Sequence, residues 1–289
     1  MELWVRETIQ GIRTGLHPSR RKGVSPDFVQ HRGYRPGDPI RFLDWKVYAR
    51  TREHYIRQFE EESSMDLWLV VDGSGSMEPD PETVLTDRGE RELPPKYSFA
   101  CRIGALLAGV VLNQRDRVGL AIAGERGRLV KPASTQNHLS RMLRELIAHD
   151  AGGDPTPEEA LRLVEETASG PGMVVLVSDL MFDADPVQRR LKNLRARGHD
   201  VLLFMITTPA ETALDFNRWV EFEDAEAAAV HHRIDTTHLQ AVYREEVEAH
   251  RERWNDFCRK QHIDLVRVGI QEDLVERMHE YLIMRQTER

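Results

Sequence analysis

Apolar positions along the chain follow two periods that take turns. Leu67-Trp68-Leu69-Val70-Val71 is an unbroken apolar run, the mark of a strand covered on both faces. Phe99, Ile103, Leu106, Leu107 and Val110 then recur at helical spacing and predict a helix over 96–112. Arg117–Ala123 reads as the next strand, with a short partner at Arg128–Lys131, and helices over 136–148 and 157–168 follow. Met173–Val177 is another buried strand, 186–197 a helix and Val201–Ile206 a further buried strand. Trp219–Phe222 predicts one more strand. Leu239, Tyr243, Val247, Trp254 and Phe257 place a long amphipathic helix over 238–260, and strand Ile263–Val268 and helix 271–285 close the series. Such alternation predicts an α/β fold: a doubly wound, mostly parallel sheet with helices on both faces.

The first 65 residues have a different texture. Residues 1–22 start as a short helix and end in the basic turn Ser19-Arg20-Arg21-Lys22. Residues 23–53 are dense in Gly, Pro, Arg, Asp and aromatics and predict loop and short strand, with His54–Phe59 a strand running into Glu60-Glu61-Glu62. The expected division is therefore a small irregular extension over 1–65 and the α/β domain over 66–289.

At 289 residues the chain buries a core without disulfide or metal staples. A formal net charge of −8 argues against general nucleic-acid binding, which needs a basic face. The longest useful apolar run, Ile103–Leu112, is far short of the roughly 18–20 residues that span a bilayer. The start Met-Glu-Leu-Trp lacks a basic and then apolar leader. Cys101 and Cys258 lie far apart in helix-like sequence and read as buried, reduced thiols. A cytoplasmic protein with no membrane insertion is expected.

Doubly wound sheets hold their working loops beyond the carboxyl ends of the strands. After Val71 the chain reads Asp72-Gly73-Ser74-Gly75-Ser76-Met77. Alternate residues of an extended loop point the same way, so Asp72, Ser74 and Ser76 can converge on one point, while the glycines let the backbone curl. A later strand ends in Val177-Ser178-Asp179. Gly152-Gly153-Asp154-Pro155-Thr156-Pro157 precedes a helix and offers another hydroxyl. All are hard oxygen donors, which suits Mg²⁺ or Mn²⁺ over zinc or copper. The competing reading is a plain turn with capping serines; placement at two buried strand ends favours the metal.

The loop Asp72-Gly-Ser74-Gly-Ser76, with Asp179 at a later strand end, resembles the metal-ion-dependent adhesion site of von Willebrand factor A domains over about residues 66–270. The resemblance implies that Asp72, Ser74, Ser76, a threonine and Asp179 hold the ion, directly or through water, and that a partner's Glu or Asp completes its coordination. The family usually carries Gly-Gly-Thr at the threonine. Here Asp154 follows Gly152-Gly153, so either Thr156 moves in or Asp154 replaces it. The string Tyr34-Arg35-Pro36-Gly37-Asp38-Pro39-Ile40-Arg41-Phe42-Leu43-Asp44-Trp45, then Ala49-Arg50 and Phe59-Glu60-Glu61-Glu62, resembles the signature of the bacterial domain of unknown function 58. That likeness implies a MoxR-type AAA+ ATPase as partner and a protein client under assembly or remodelling.

Other features read more simply. Arg35, Asp38, Arg41, Asp44 and Arg50 are expected as an ion-pair lattice beside Trp45 and Tyr48, ahead of a partner-contact role. The Pro-rich segment Glu78–Pro95 is an inert insertion or a flap over the site. His231, His232 and His238 lack zinc-ligand spacing and are expected on the surface. The charges around Glu245, Glu246, Arg251 and Arg253 form a solvated helix face.

No phosphate-cradling, His-Glu-x-x-His or Gly-x-Ser-x-Gly motif occurs. The best enzyme alternative is a metal-dependent phosphoryl hydrolase of haloacid dehalogenase type with Asp72 as nucleophile, but position 74 is Ser where that chemistry needs a second Asp. A scaffold with a vestigial metal loop is the other alternative. The expectation is a non-enzymatic adaptor.

Overall fold

The computed structural model describes residues 27–35, 43–60, 65–78, 83–86, 89–124, 127–153, 156–212, 219–223, 231–235 and 240–287. They fall into two compact units, divided between Met65 and Asp66.

In the smaller unit, β1 (Asp27–Gly33) pairs antiparallel with β2 (Tyr55–Glu60). Between them lies a short helix that the sequence pattern hides, α1 (Trp45–Thr51). Its cause is local. The Asp44 carboxylate caps the helix, accepting the Lys46 and Val47 amides at 3.0 and 3.1 Å. The same carboxylate meets His31 Nε2 at 2.9 Å. Asp44 thus serves a helix cap and a histidine, and Trp45, edge-on to Tyr48, remains 58% exposed. Asp38 and Arg41 lie outside the described residues.

The larger unit is built on a six-stranded sheet. In chain order its elements are β3 (Asp66–Asp72), β4 (Thr83–Thr86), β5 (Gly89–Glu92), α2 (Lys96–Asn113), β6 (Arg117–Ala123), β7 (Arg128–Ala133), α3 (Gln136–Ile147), α4 (Pro157–Thr167) and β8 (Met173–Ser178). They continue with α5 (Ala184–Ala196), β9 (Asp200–Thr207), α6 (Pro209–Thr212), β10 (Trp219–Glu223), β11 (His231–Asp235), α7 (Gln240–Gln261), β12 (Asp264–Gly269) and α8 (Leu274–Thr287). The sheet order is β12-β9-β8-β3-β6-β7, all parallel except β7. Trp219–Phe222 is a strand, as predicted, but outside this sheet: β10 forms a hairpin with β11. His231 and His232 lie on β11, and His238 outside the described residues.

Why the strands are apolar throughout follows from their two faces. Trp68 and Val70 pack with Leu161 of α4, Leu191 of α5 and Trp254 of α7. Leu69 and Val71 face the other way, against Gly104 of α2. Burying one such side chain contributes about 1.5–3 kcal/mol, so both helical layers are held by β3 and its neighbours. Gly119 of β6 makes room for the Trp68 ring, which a Cβ there would meet at 2.6 Å.

The chain runs from β3 outward to β6 and β7, then crosses back to enter β8 on the opposite side of β3. The direction of winding thus reverses between β3 and β8. Their register pairs Val71 with Val177, which brings Asp72 beside Ser178 at the carboxyl end. No helix among the described residues is long and apolar enough to cross a membrane. Cys101 and Cys258 are buried and free.

Candidate functional site

The carboxyl ends of β3 and β8 assemble one hydrogen-bonded group. Asp72 is fully buried. Its Oδ1 accepts the Ser74 amide at 3.0 Å and its Oδ2 the Ser178 hydroxyl at 2.6 Å. The Ser74 and Ser76 hydroxyl oxygens lie 3.1 Å apart, so the alternate-residue convergence expected for this loop is present. A short 3₁₀ turn, Gly75–Met77, ends it, with Met77 buried beneath.

Neighbouring segments fix the loop by its backbone. The Gly73 amide donates to the Ala123 carbonyl at 2.9 Å, the Gly152 amide to the Gly73 carbonyl at 3.0 Å, and the Gly75 amide to the Gly153 carbonyl at 3.0 Å. Gly73 is obligatory on steric grounds: a Cβ would lie 2.5 Å from the Ala123 carbonyl oxygen and 2.4 Å from the His149 ring. His149 lies across both Gly73 and Gly124 and braces the loop from the β6 side. Burial pushes its pKa below the ordinary histidine value.

Asp179 follows the end of β8. Its Oδ1 accepts the Met181 amide at 3.1 Å, and the Ser178 hydroxyl accepts the Leu180 amide at 2.8 Å. Both bonds need the chain to double back, and Leu180 does so at a left-handed φ of 61° with its side chain fully buried. Left-handed backbone is costly for a leucine. The packing of Leu180 in the core holds it there.

The two carboxylates sense each other. Burial first, and the Asp179 charge second, raise the Asp72 pKa from 3.8 to about 6, against the lowering effect of its bonds to Ser178 and Ser74. Asp72, Ser74, Ser76 and Asp179 are all hard oxygen donors, the chemistry that a divalent ion such as Mg²⁺ takes. Thr156 stands at the N-cap of α4, just beyond the Gly152-Gly153 segment, and its side chain makes no capping bond. Asp154 lies outside the described residues.

Sequence reasoning missed the site's own cation. Lys96, at the start of α2, is 2% exposed. Its Nζ donates to Asp179 Oδ2 at 2.5 Å and to Glu211 Oε1 of α6 at 2.5 Å. Burial alone would lower the Lys96 pKa, but the two carboxylates outweigh it and hold the ammonium above the ordinary lysine value. A signal was present: a lysine in the first turn of an apolar helix sits at the wrong end of the helix dipole and needs an acid nearby. Ser178, quoted with its strand but given no role, is the second missed residue.

Within 78–95, β4 pairs antiparallel with β5, and Leu93 is buried. A cavity of about 650 Å³ lies elsewhere, beside the starts of β9 and β12.

The family of proteins of unknown function DUF58 matches residues 30–253. Uncharacterised proteins of Mycobacterium tuberculosis and Mycobacterium bovis are each 29% identical over 237 residues, covering 80% of this chain and 70% of their own. YeaD of Bacillus subtilis is 28% identical over 141 residues, 46% of this chain and 31% of its own. Among solved structures, BatB of Bacteroides thetaiotaomicron is 13% identical and covers 78% of this chain and 100% of its own, with a TM-score of 0.48. The VWA domain of SpRpn10 is 10% identical and covers 76% of this chain and 94% of its own, with a TM-score of 0.39.

Proposed function

The chain belongs to the DUF58 family, and from that premise we propose that it is a non-enzymatic, protein-binding adaptor that docks its partner through a divalent-cation site. One observation carries the reading: two buried carboxylates that sense each other's charge end neighbouring strands where the winding of the sheet reverses, with the Ser74, Ser76 and Ser178 hydroxyls on the Asp72 side. Asp72, Ser74, Ser76, Thr156 and Asp179 would hold Mg²⁺ or Mn²⁺. Once bound, the ion supplies an electron-poor position for a carboxylate oxygen from outside. Met181, next but one to Asp179, is 56% exposed and gives this end of the sheet an apolar contact for a partner.

The family resemblance suggests the partners, a MoxR-type AAA+ ATPase and a client protein offering an acidic residue. ATP would be hydrolysed by that ATPase, since this chain has no nucleotide motif. Ser74 offers no general acid, so a phosphoryl-transfer reading of Asp72 lacks a proton donor. Free, buried cysteines support a cytoplasmic setting.

Mn²⁺ titration followed by electron paramagnetic resonance tests the site. Wild type is expected to bind the ion and Asp72→Ala to lose it. With purified ATPase from the same cell, binding is expected in Mg²⁺ and lost in chelator. No Mn²⁺ binding, or equal binding by Asp72→Ala, would remove the metal from the account. The Lys96–Asp179 ion pair favours one rival, a scaffold in which the ammonium stands permanently for the metal charge. The same titration separates the two.

A further inference from the structure

Lys96 has no place in the metal shell, yet it is bound to it. The side chain is almost wholly buried, and what compensates its charge is a pair of acids on two separate elements. Asp179 is thereby engaged at both oxygens, Oδ1 by the Met181 amide and Oδ2 by Lys96. Glu211 is held in place independently of Asp179. Its Oε2 accepts the Thr208 amide at 3.0 Å, its own amide donates to the Thr208 hydroxyl at 3.2 Å, and its carbonyl accepts the Tyr243 hydroxyl of α7 at 3.2 Å. An ammonium released by Asp179 thus keeps a fixed, charged partner. Asp72, Asp179, Glu211 and Lys96 together carry a formal charge of −2, which a divalent ion cancels; the three acids alone would carry −3.

We propose that Lys96 sets the affinity of the site, because its ammonium competes with the divalent ion for Asp179 and is left to Glu211 when the ion binds. This rests on the metal-site reading above. Two cations on one carboxylate repel at such short range. The ion therefore binds more weakly than the donor set alone would allow, and its arrival alters the bond that ties α2 to α6. Lys96 is a positioning and affinity-determining residue that need never touch the partner.

The test is Mn²⁺ binding to the full chain by electron paramagnetic resonance, with thermal denaturation in chelator and in Mn²⁺. Four proteins are compared: wild type, Asp72→Ala, Lys96→Met and the double variant Lys96→Met with Glu211→Gln. Lys96→Met leaves two acids without their counter-charge and risks instability in chelator. The double variant restores the local charge of −2, so any gain it shows comes from freeing Asp179. Both variants are expected to bind Mn²⁺ at least about tenfold more tightly than wild type, and to gain more thermal stability from the ion. If wild type binds and Asp72→Ala does not, but the double variant binds at or below wild-type affinity, this proposal falls and the metal reading stands. If neither wild type nor either Lys96 variant binds, both fall.

Discussion

Replacing Asp72 by Asn tests the electrostatic reasoning directly. In the ion-free protein the Asp72 carboxylate is fully buried and repelled by Asp179, which lifts its pKa to about 6 from 3.8. The folded protein therefore binds a proton more tightly than the unfolded chain at this position. Below about pH 4 both states hold the proton and the residue costs nothing. As pH rises through the window between the two values, the unfolded chain ionises first and stability falls. Above about pH 6 the penalty is complete, and a gap of this size amounts to about 3 kcal/mol. Asparagine keeps an oxygen for the Ser74 amide and offers its own amide to Ser178, with no charge to bury. In chelator at pH 8, Asp72→Asn should exceed wild type by about 3 kcal/mol, or roughly 6 °C in Tm; near pH 4 the two should coincide. Denaturant melts at a series of pH values make the measurement. A variant less stable than wild type at pH 8, or an advantage that does not shrink as pH falls, would refute the reasoning.

Three further outcomes follow from the geometry. Ser178→Ala strands Asp72 Oδ2 and the Leu180 amide in the interior, and urea denaturation should show a loss of about 2–3 kcal/mol. Gly124→Ala drives a Cβ to 2.2 Å from the His149 ring; it should cost about 1–3 kcal/mol, and His149→Ala in the same chain should recover part of that loss. Cys101 and Cys258 are buried, with thiols pushed up to about 11 and about 12. Mass spectrometry after iodoacetamide at pH 8 should find both unmodified in the native protein and both alkylated in denaturant.

What could be read beforehand was what local sequence dictates. The apolar runs of β3, β8 and β9 and the Asp-x-Ser-x-Ser loop are contiguous signals, and the loop's convergence needed only the two-residue period of an extended chain. The partner of β10 stayed hidden because His231–Asp235 has no apolar alternation. The β4–β5 hairpin was hidden by the prolines around it, and α1 because its stability begins with a cap on Asp44. Lys96 illustrates a deeper limit. Its acids lie 83 and 115 positions away, and no periodicity connects residues that meet only once the sheet has formed.

β3 sits inside the sheet, with a parallel neighbour on each side. Anything seated at its carboxyl end and tugged along the strand axis strains both ladders in shear, every bond sharing the pull at once. The same pull on the edge strand β12 would fall on one ladder alone. Tension applied at Asp72 would be spread through the middle of the fold.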